Sequence, residues 1–509
     1  MQASMAGRSR WAAALVFAFA ILAGCSAGPA YRRPQPPLPA AYKEDGIWRV
    51  AQPQRIDADH PWWTLYADPA LDALMARLDA ANNSIAVAAA QYRQARAVAA
   101  AANAAWFPSV GVNAGYSRGL GNGGAMRAGD AASIGLAASW EPDLWGSVER
   151  AVEAGRAGAA ASADNLAAAR LSTQALLAQD YFQLRAQDRQ IALYERSIRA
   201  YRKALEMAQH QYAAGVALRS DVANAQAQLE GADAQRIDLV LQRAQLEHAI
   251  AILVGRAPAD FRLAADPARA ETLPALPALV PSELLQRRPD IAAAERLAAQ
   301  ANANVGVAAA AWFPTLALGA SAGYAGYDLR HLFDAPARVW SLGAALAGSL
   351  FDGGLRRARS EQALGAWDAA VAQYRATVLG GFQEVEDNLA ALHWLGQELQ
   401  AQDRAVASAR LAERLALEQY KAGTANYLAV VVAQTTALGD ERTAVQLRAR
   451  RQIASVTLIK ATGGGWTAVP PAATNATTAT TAATVASTTA TSPPPATPAP
   501  ATASPNRQP

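Results

Sequence analysis

With a single cysteine in 509 residues, the chain can form no internal disulfide, so packing alone must hold its fold. Charge is scarce too. Only 17% of residues are charged and the formal net charge is +4, which leaves no basic footprint for a nucleic acid. Long apolar runs are missing: beyond the N-terminal stretch none reaches the roughly 18 residues of a spanning helix. A mature chain that crosses a membrane must therefore do so as strands. The five histidines (His60, His210, His248, His331, His393) are scattered. None has a second histidine or a cysteine at ligand spacing, so neither a metal nor a bound cofactor is expected from them.

The lone cysteine has a context. Arg8 and Arg10 precede a short apolar run, Trp11 to Leu22, and Leu22-Ala23-Gly24-Cys25 closes it. This reads as a signal peptide over 1–24, and LAGC resembles a bacterial lipobox. The expectation is a covalent lipid, diacylglyceryl and N-acyl, on Cys25, with Ser26 directing the chain to the outer membrane. Residues 25–61, with Pro34, Pro36, Pro37 and Pro39, read as an extended tether. Residues 467–509, nearly all Thr, Ala, Pro and Ser, read as disordered.

What lies between is a tandem repeat, 62–260 and 261–466. Trp106-Phe107-Pro108 returns as Trp312-Phe313-Pro314, and Gln211-Tyr212-Ala213-Ala214-Gly215 returns as Gln419-Tyr420-Lys421-Ala422-Gly423. Asp143-Leu144-Trp145-Gly146 has a looser counterpart in Phe351-Asp352-Gly353-Gly354. Matches in one order at nearly one offset imply two halves of one architecture.

Each half carries two alternating segments, at about 108–118 and 131–141 and at about 314–325 and 338–350. Val110, Val112, Ala114 and Tyr116 alternate with Ser109, Gly111, Asn113 and Gly115, and the other three segments behave alike. Period two with a small second face and almost no charge is the pattern of a membrane strand. Four strands cannot close on themselves, and an open edge cannot face lipid. The barrel must be shared between copies, and three copies would supply twelve strands.

The remaining segments, about 147–255 and 353–462, read as helical hairpins. Leu364, Trp367, Val371, Tyr374, Val378, Phe382 and Val385 recur at spacings of three and four, a coiled-coil pattern. Roughly 65 residues per long helix would span about 100 Å. Gly215 and Gly423 should end these helices in the left-handed conformation, and shorter helices over 68–105 and 282–311 should lead back to the strands. The fold class is thus α plus membrane β-barrel.

Two motif matches carry no chemistry. Gly119, Gly121 and Gly124 match GxGxxG, yet a strand follows where a nucleotide site needs a helix. Gly319-Ala320-Ser321-Ala322-Gly323 matches a nucleophile elbow, but Ser321 lies inside an alternating strand. No enzyme is expected.

Arg288-Pro289-Asp290-Ile291 with Glu295, Trp62-Trp63 with Asp68-Pro69 and Leu71, and Gly463-Gly464-Gly465-Trp466 join the repeats in pointing one way. Together they resemble the TolC-like outer-membrane factors, specifically the lipoprotein branch serving resistance-nodulation-division efflux pumps, over residues 25–466. The resemblance implies a homotrimer with a twelve-stranded barrel in the outer membrane and a twelve-helix periplasmic tunnel. Its function would be the passive exit duct of a tripartite efflux system, partnered by a periplasmic adaptor and an inner-membrane transporter. The alternative is a duct for type I protein secretion or metal-ion export. It further implies that the hairpin tips, Tyr212, Gly215 and Val216 and then Tyr420, Gly423 and Thr424, meet the adaptor. Acidic aperture positions of the family read Ala429 and Val432 here, while the first hairpin keeps Asp221 with Asn224. Closure is therefore expected from apolar contacts of Tyr427, Leu428 and Val432, with Asp221 pairing with an arginine.

Overall fold

The computed structural model describes residues 27–36, 42–43, 61–120, 128–269, 271–274, 287–327 and 329–465. The signal peptide, Cys25, His60, Gly121, Gly124, Trp466 and the Thr/Ala/Pro tail lie outside the described residues. All described residues fall in the unit Met1–Ala468; the second unit, Val469–Pro509, contains none.

Among the described residues, seven α-helices and four strands follow in the order α1 (Pro69–Ala81), α2 (Asn83–Ala104), β1 (Ser109–Leu120), β2 (Ala128–Trp140), α3 (Ser147–Ala213), α4 (Arg219–Leu253), α5 (Pro289–Ala310), β3 (Thr315–Gly326), β4 (Arg338–Ala347), α6 (Leu355–Lys421) and α7 (Tyr427–Ala461). The strand expected to run to 350 stops at Ala347. The helical segment expected over 68–105 is two helices: Asn82 caps α2 by accepting the N–H of Ile85 (3.0 Å) and donates its amide to the Leu253 carbonyl (2.8 Å). Residues 282–286 of the other short segment lie outside the described residues.

The repeat is visible in how the long helices start and stop. α3 and α6, 67 residues each, begin after Gly146 (φ 77°) and Gly354 (φ 93°). Asp143 accepts the N–H of Glu149 (2.8 Å) and Asp352 those of Gly354 and Arg356 (3.0 and 3.2 Å), placing negative charge at both helix N-termini. At 1.5 Å per residue each helix is about 100 Å long. In the four-helix layer α4 packs on α3, α3 on α7 and α7 on α6.

Two clusters join the helices about halfway along α3 and α6, where α4 and α7 end. Trp62, Tyr66, Leu71, Met75, Tyr181 and Phe182 are buried together with Ile250 of α4 and Val456 of α7. Arg288 is buried and binds Asp290 and Glu384, each at 2.7 Å, and the Ala461 carbonyl at 3.2 Å. The Arg-Pro-Asp phrase thus ties the start of α5 to α6 and to the end of α7.

The residues expected as an extended tether are docked on the helices where they are described. The Ala27 N–H donates to the Trp145 carbonyl (3.0 Å), the Pro29 carbonyl accepts from Asn302 (3.1 Å), and the Tyr31 hydroxyl donates to Glu295 (2.7 Å). Gly28 has φ 95°, and a Cβ there would lie 2.5 Å from the Cα of Gly306. Glycine is required on both counts. Gly28→Val is expected to release this strap, which costs roughly 2 kcal/mol from the φ change alone. Limited proteolysis should then cut the N-terminal segment about tenfold faster or more.

Candidate functional site

The four strands form one antiparallel sheet in the order β1-β2-β3-β4. The two hairpins are therefore joined by a β2–β3 seam, with Leu136 opposite Ala322 and Ala138 opposite Ala320. The register carries one face through every strand: Val112 pairs with Leu136, Leu136 with Ala322, and Ala322 with Trp340. On the other face Asn113 pairs with Gly135, Gly135 with Gly323, and Gly323 with Val339. The first face is apolar and largely exposed, including Val112, Leu342 and Leu346. The second is small or polar apart from Val339, with hydroxyl pairs Ser109–Ser139 and Ser321–Ser341, both at 2.8 Å. Ser321 thus spends its hydroxyl on a cross-strand bond, away from any strand-to-helix turn. Among the described residues of a single copy, β1 and β4 are free edges.

Aromatic residues bound the apolar face at both ends. At the helix end three indoles donate hydrogen bonds: Trp140 to the Trp106 carbonyl (3.2 Å), Trp145 to the Pro314 carbonyl (2.7 Å) and Trp312 to Ser360 (3.1 Å). Trp145 also stacks on Phe313 with centroids 4.8 Å apart. At the far end stand Tyr116, Tyr324, Tyr327 and Trp340, with Tyr324 edge-on to Phe333. Each such ring has an apolar body and a polar tip, which suits a membrane–water boundary. The repeated Trp-Phe-Pro phrase marks where each helix becomes a strand at that boundary.

The opposite ends of the helices form two matched tips. Gly215 (φ 75°) and Gly423 (φ 74°) stop α3 and α6. The N–H of Val216 closes on the Gln211 carbonyl and that of Thr424 on the Gln419 carbonyl, both at 2.9 Å. No atom lies within 4 Å of a Cβ built on either glycine, so glycine serves only the left-handed turn and leaves the backbone bare. Tyr212 and Val216 are exposed, as are Gly423 and Thr424.

The aperture candidates divide. Tyr427 is buried inside the protomer's own tip with Tyr420, ring centroids 5.2 Å apart, beside Leu205, Ala208, Ala225 and Val430. Burial first, then the neighbouring Tyr420 and Asp221, pushes the Tyr427 hydroxyl up to about 12. Asp221 accepts the N–H of Leu218 (3.3 Å) at the start of α4; no arginine pairs with it among the described residues. Asn224 and Ala429 are exposed. Leu428 and Val432, one turn apart on α7, are 56% and 58% exposed. With Ala409, Ala412, Ala429 and Ala433 they line an apolar hollow of about 540 Å³ that no ionisable side chain enters. The tips therefore offer bare turns outside and an uncovered apolar face on α7.

One wall residue gives a pH dependence. Burial pushes the Asp180 carboxyl on α3 from 3.8 up to about 6. A raised carboxyl pKa means the folded state binds the proton more tightly, so the ionised form costs stability at neutral pH and that cost fades as pH falls. Asp180→Asn is expected to raise the melting temperature at pH 7.5, with the gain shrinking between about pH 6 and pH 4.

Comparison with known proteins gives consistent matches. The family described as "Outer membrane efflux protein" matches residues 74–256 and 280–464. The chain is 32% identical over 465 residues to the pyoverdine export outer membrane protein OpmQ of Pseudomonas aeruginosa, covering 89% of this chain and 96% of that one. Among solved structures it is similar to the outer-membrane channel OprN (30% identity, TM-score 0.79, 87% of this chain and 100% of that one). It is also similar to the open state of the Neisseria gonorrhoeae MtrE outer membrane channel (29% identity, TM-score 0.77, 87% and 98%).

Proposed function

The chain belongs to the outer membrane efflux protein family, and we propose that three copies pool their sheets into one twelve-stranded barrel continued by a tunnel of twelve helices. It is an outer-membrane protein and the exit duct of an efflux system. The observation that carries the trimeric reading is the sheet: one face is apolar through all four strands while both edges lack partners among the described residues. A lipid-facing sheet must close, because an unpaired N–H or C=O in hydrocarbon costs several kcal/mol. The small polar face then lines the bore.

The duct works by passive conduction. An inner-membrane transporter supplies cargo and a periplasmic adaptor docks on the bare turns at Gly215 and Gly423, reading Tyr212, Val216 and Thr424 beside them. Tyr420 and Tyr427 hold each tip in shape from within, and the aperture closes where Leu428, Ala429 and Val432 of three copies meet, with Asp221 and Asn224 near the rim. Cys25 carries the lipid. The Ala27–Trp145 hydrogen bond supports this anchor, since two residues of chain reach at most about 7 Å from the aromatic boundary.

Purified full-length protein tests the proposal. The expected result is a trimer that leaves the membrane only with detergent and passes ions in planar bilayers; a water-soluble monomer without current would refute it.

A further inference from the structure

The geometry points to an anion-favouring ring partway along the bore, built from Arg442 and Arg450 of α7. This inference rests on the duct reading above. The two arginines sit over a hollow of about 380 Å³ between α3, α4 and α7. Glutamines line it: Gln187 and Gln190 from α3, Gln235 and Gln242 from α4, and Gln446 from α7. Gln187 and Gln190 are 5% and 2% exposed. Gln187 donates to Gln242 (3.1 Å), while its own Oε1 has no partner. A buried acceptor left open toward a hollow is a place for water or for a passing polar group.

Which way this face points follows from the linker between the repeats. Residues 263–269 lie along α3, held by Arg185 to the Ala264 carbonyl (2.7 Å), by Arg189 to the Arg269 carbonyl (2.8 Å) and by the Asp266 N–H to Asp188 (3.2 Å). At 3.6 residues per turn, 185, 188 and 189 stand opposite 187, 190 and 194. On α7 the linker side carries Arg448, close to Glu271 (3.8 Å), and Arg442, Gln446 and Arg450 stand opposite. A linker laid inside the tunnel would block it, so the linker marks the outer wall and the glutamine hollow faces the bore. α7, which carries both arginines, lies between α3 and α6 within the layer, and the outer helix α4 supplies one side of the hollow.

Charge is distributed unequally between the two sides. On the outer wall three arginines have carboxylates: Arg448 binds Asp403 (2.5 Å), and Arg189 and Arg410 bind Glu271 and Glu441, while Arg196 beside them has no ion partner among the described residues. Arg442 and Arg450 have no ion partner among the described residues. The hollow contains one carboxylate, Asp238, which accepts from Gln242 (2.7 Å). Each copy contributes two guanidinium groups against one carboxylate, and threefold symmetry turns this into a positive belt. Such belts select anions in pores. The solutes it favours are polar molecules carrying a carboxylate, sulfonate or phosphate, with the glutamines exchanging hydrogen bonds as they pass.

The test is the reversal potential of full-length trimers in planar bilayers under a potassium chloride gradient. Arg442→Gln with Arg450→Gln is expected to lower the chloride-to-potassium permeability ratio about threefold. The lysine pair, Arg442→Lys with Arg450→Lys, should keep the wild-type ratio, and Arg196→Gln on the outer wall should leave it unchanged. An unchanged ratio in the glutamine pair, or an equal shift from Arg196→Gln, overturns the ring while leaving the duct intact. Absence of current from the wild type would instead overturn the duct.

Discussion

Leu342→Arg is expected to abolish the oligomer, whereas Ala345→Arg on the opposite face of the same strand leaves it assembled. Leu342 lies mid-strand on the apolar face, opposite Ala320, and is 78% exposed in the single copy. An arginine at the bilayer midplane costs about 2–4 kcal/mol on a lipid-facing strand. Threefold repetition raises this to about 6–12 kcal/mol per barrel, comparable to the whole stability of a domain. Ala345 pairs with Ala317 on the small face, where an arginine meets water in the bore. Semi-native gels of membrane extracts would separate the outcomes: a heat-resistant oligomer band lost for the first variant and kept for the second. Equal tolerance of both would mean that the faces are misassigned.

Opening the tips is the second large effect. Leu428→Asp together with Val432→Asp replaces two uncovered apolar side chains per copy with carboxylates. Full burial of such a side chain is worth about 1.5–3 kcal/mol, so six of them supply most of the closing force, and six like charges around one axis add repulsion. Single-channel conductance should rise severalfold, and cells should become permeable to antibiotics too large for ordinary pores. Tyr427→Phe is the matched control. Its hydroxyl has no hydrogen-bond partner and lies inside the tip, so conductance should not move. Wild-type conductance in the Asp variant would place the closure elsewhere on the tunnel.

Much of this architecture is legible in the residues themselves. Alternation after Pro108 and Pro314 assigns both faces of every strand, because a period of two leaves no freedom once one face is apolar. The glycines at 215 and 423 announce their turns for a similar reason: only a left-handed residue ends a helix that way without strain. Long-range pairing is harder to read. Nothing local says that β2 lies against β3, since the partners of Leu136 and Ala138 are more than 180 residues away. The docking of the strap is hidden because prolines indicate only an extended tether, while its hold depends on Asn302, Glu295 and Gly306 from a distant helix. A glycine in mid-helix at 306 was the available signal. At the tip, Tyr427 and Leu428 are adjacent and both bulky. Which of them turns inward depends on how α7 packs against its neighbours, a property of the assembled layer.

Cysteine cross-linking across the two free edges tests the central claim most directly. One cysteine at Val112 of β1 is combined in turn with one at Leu342, Ala344 or Leu346 of β4, and the protein is oxidised in intact outer membranes. The account predicts that at least one pair brings its Cα atoms within the roughly 4.4–6.8 Å a disulfide needs and yields covalent dimers and trimers on non-reducing gels. Monomers alone from every pair, in protein that has reached the membrane, would show that β1 of one copy does not meet β4 of the next.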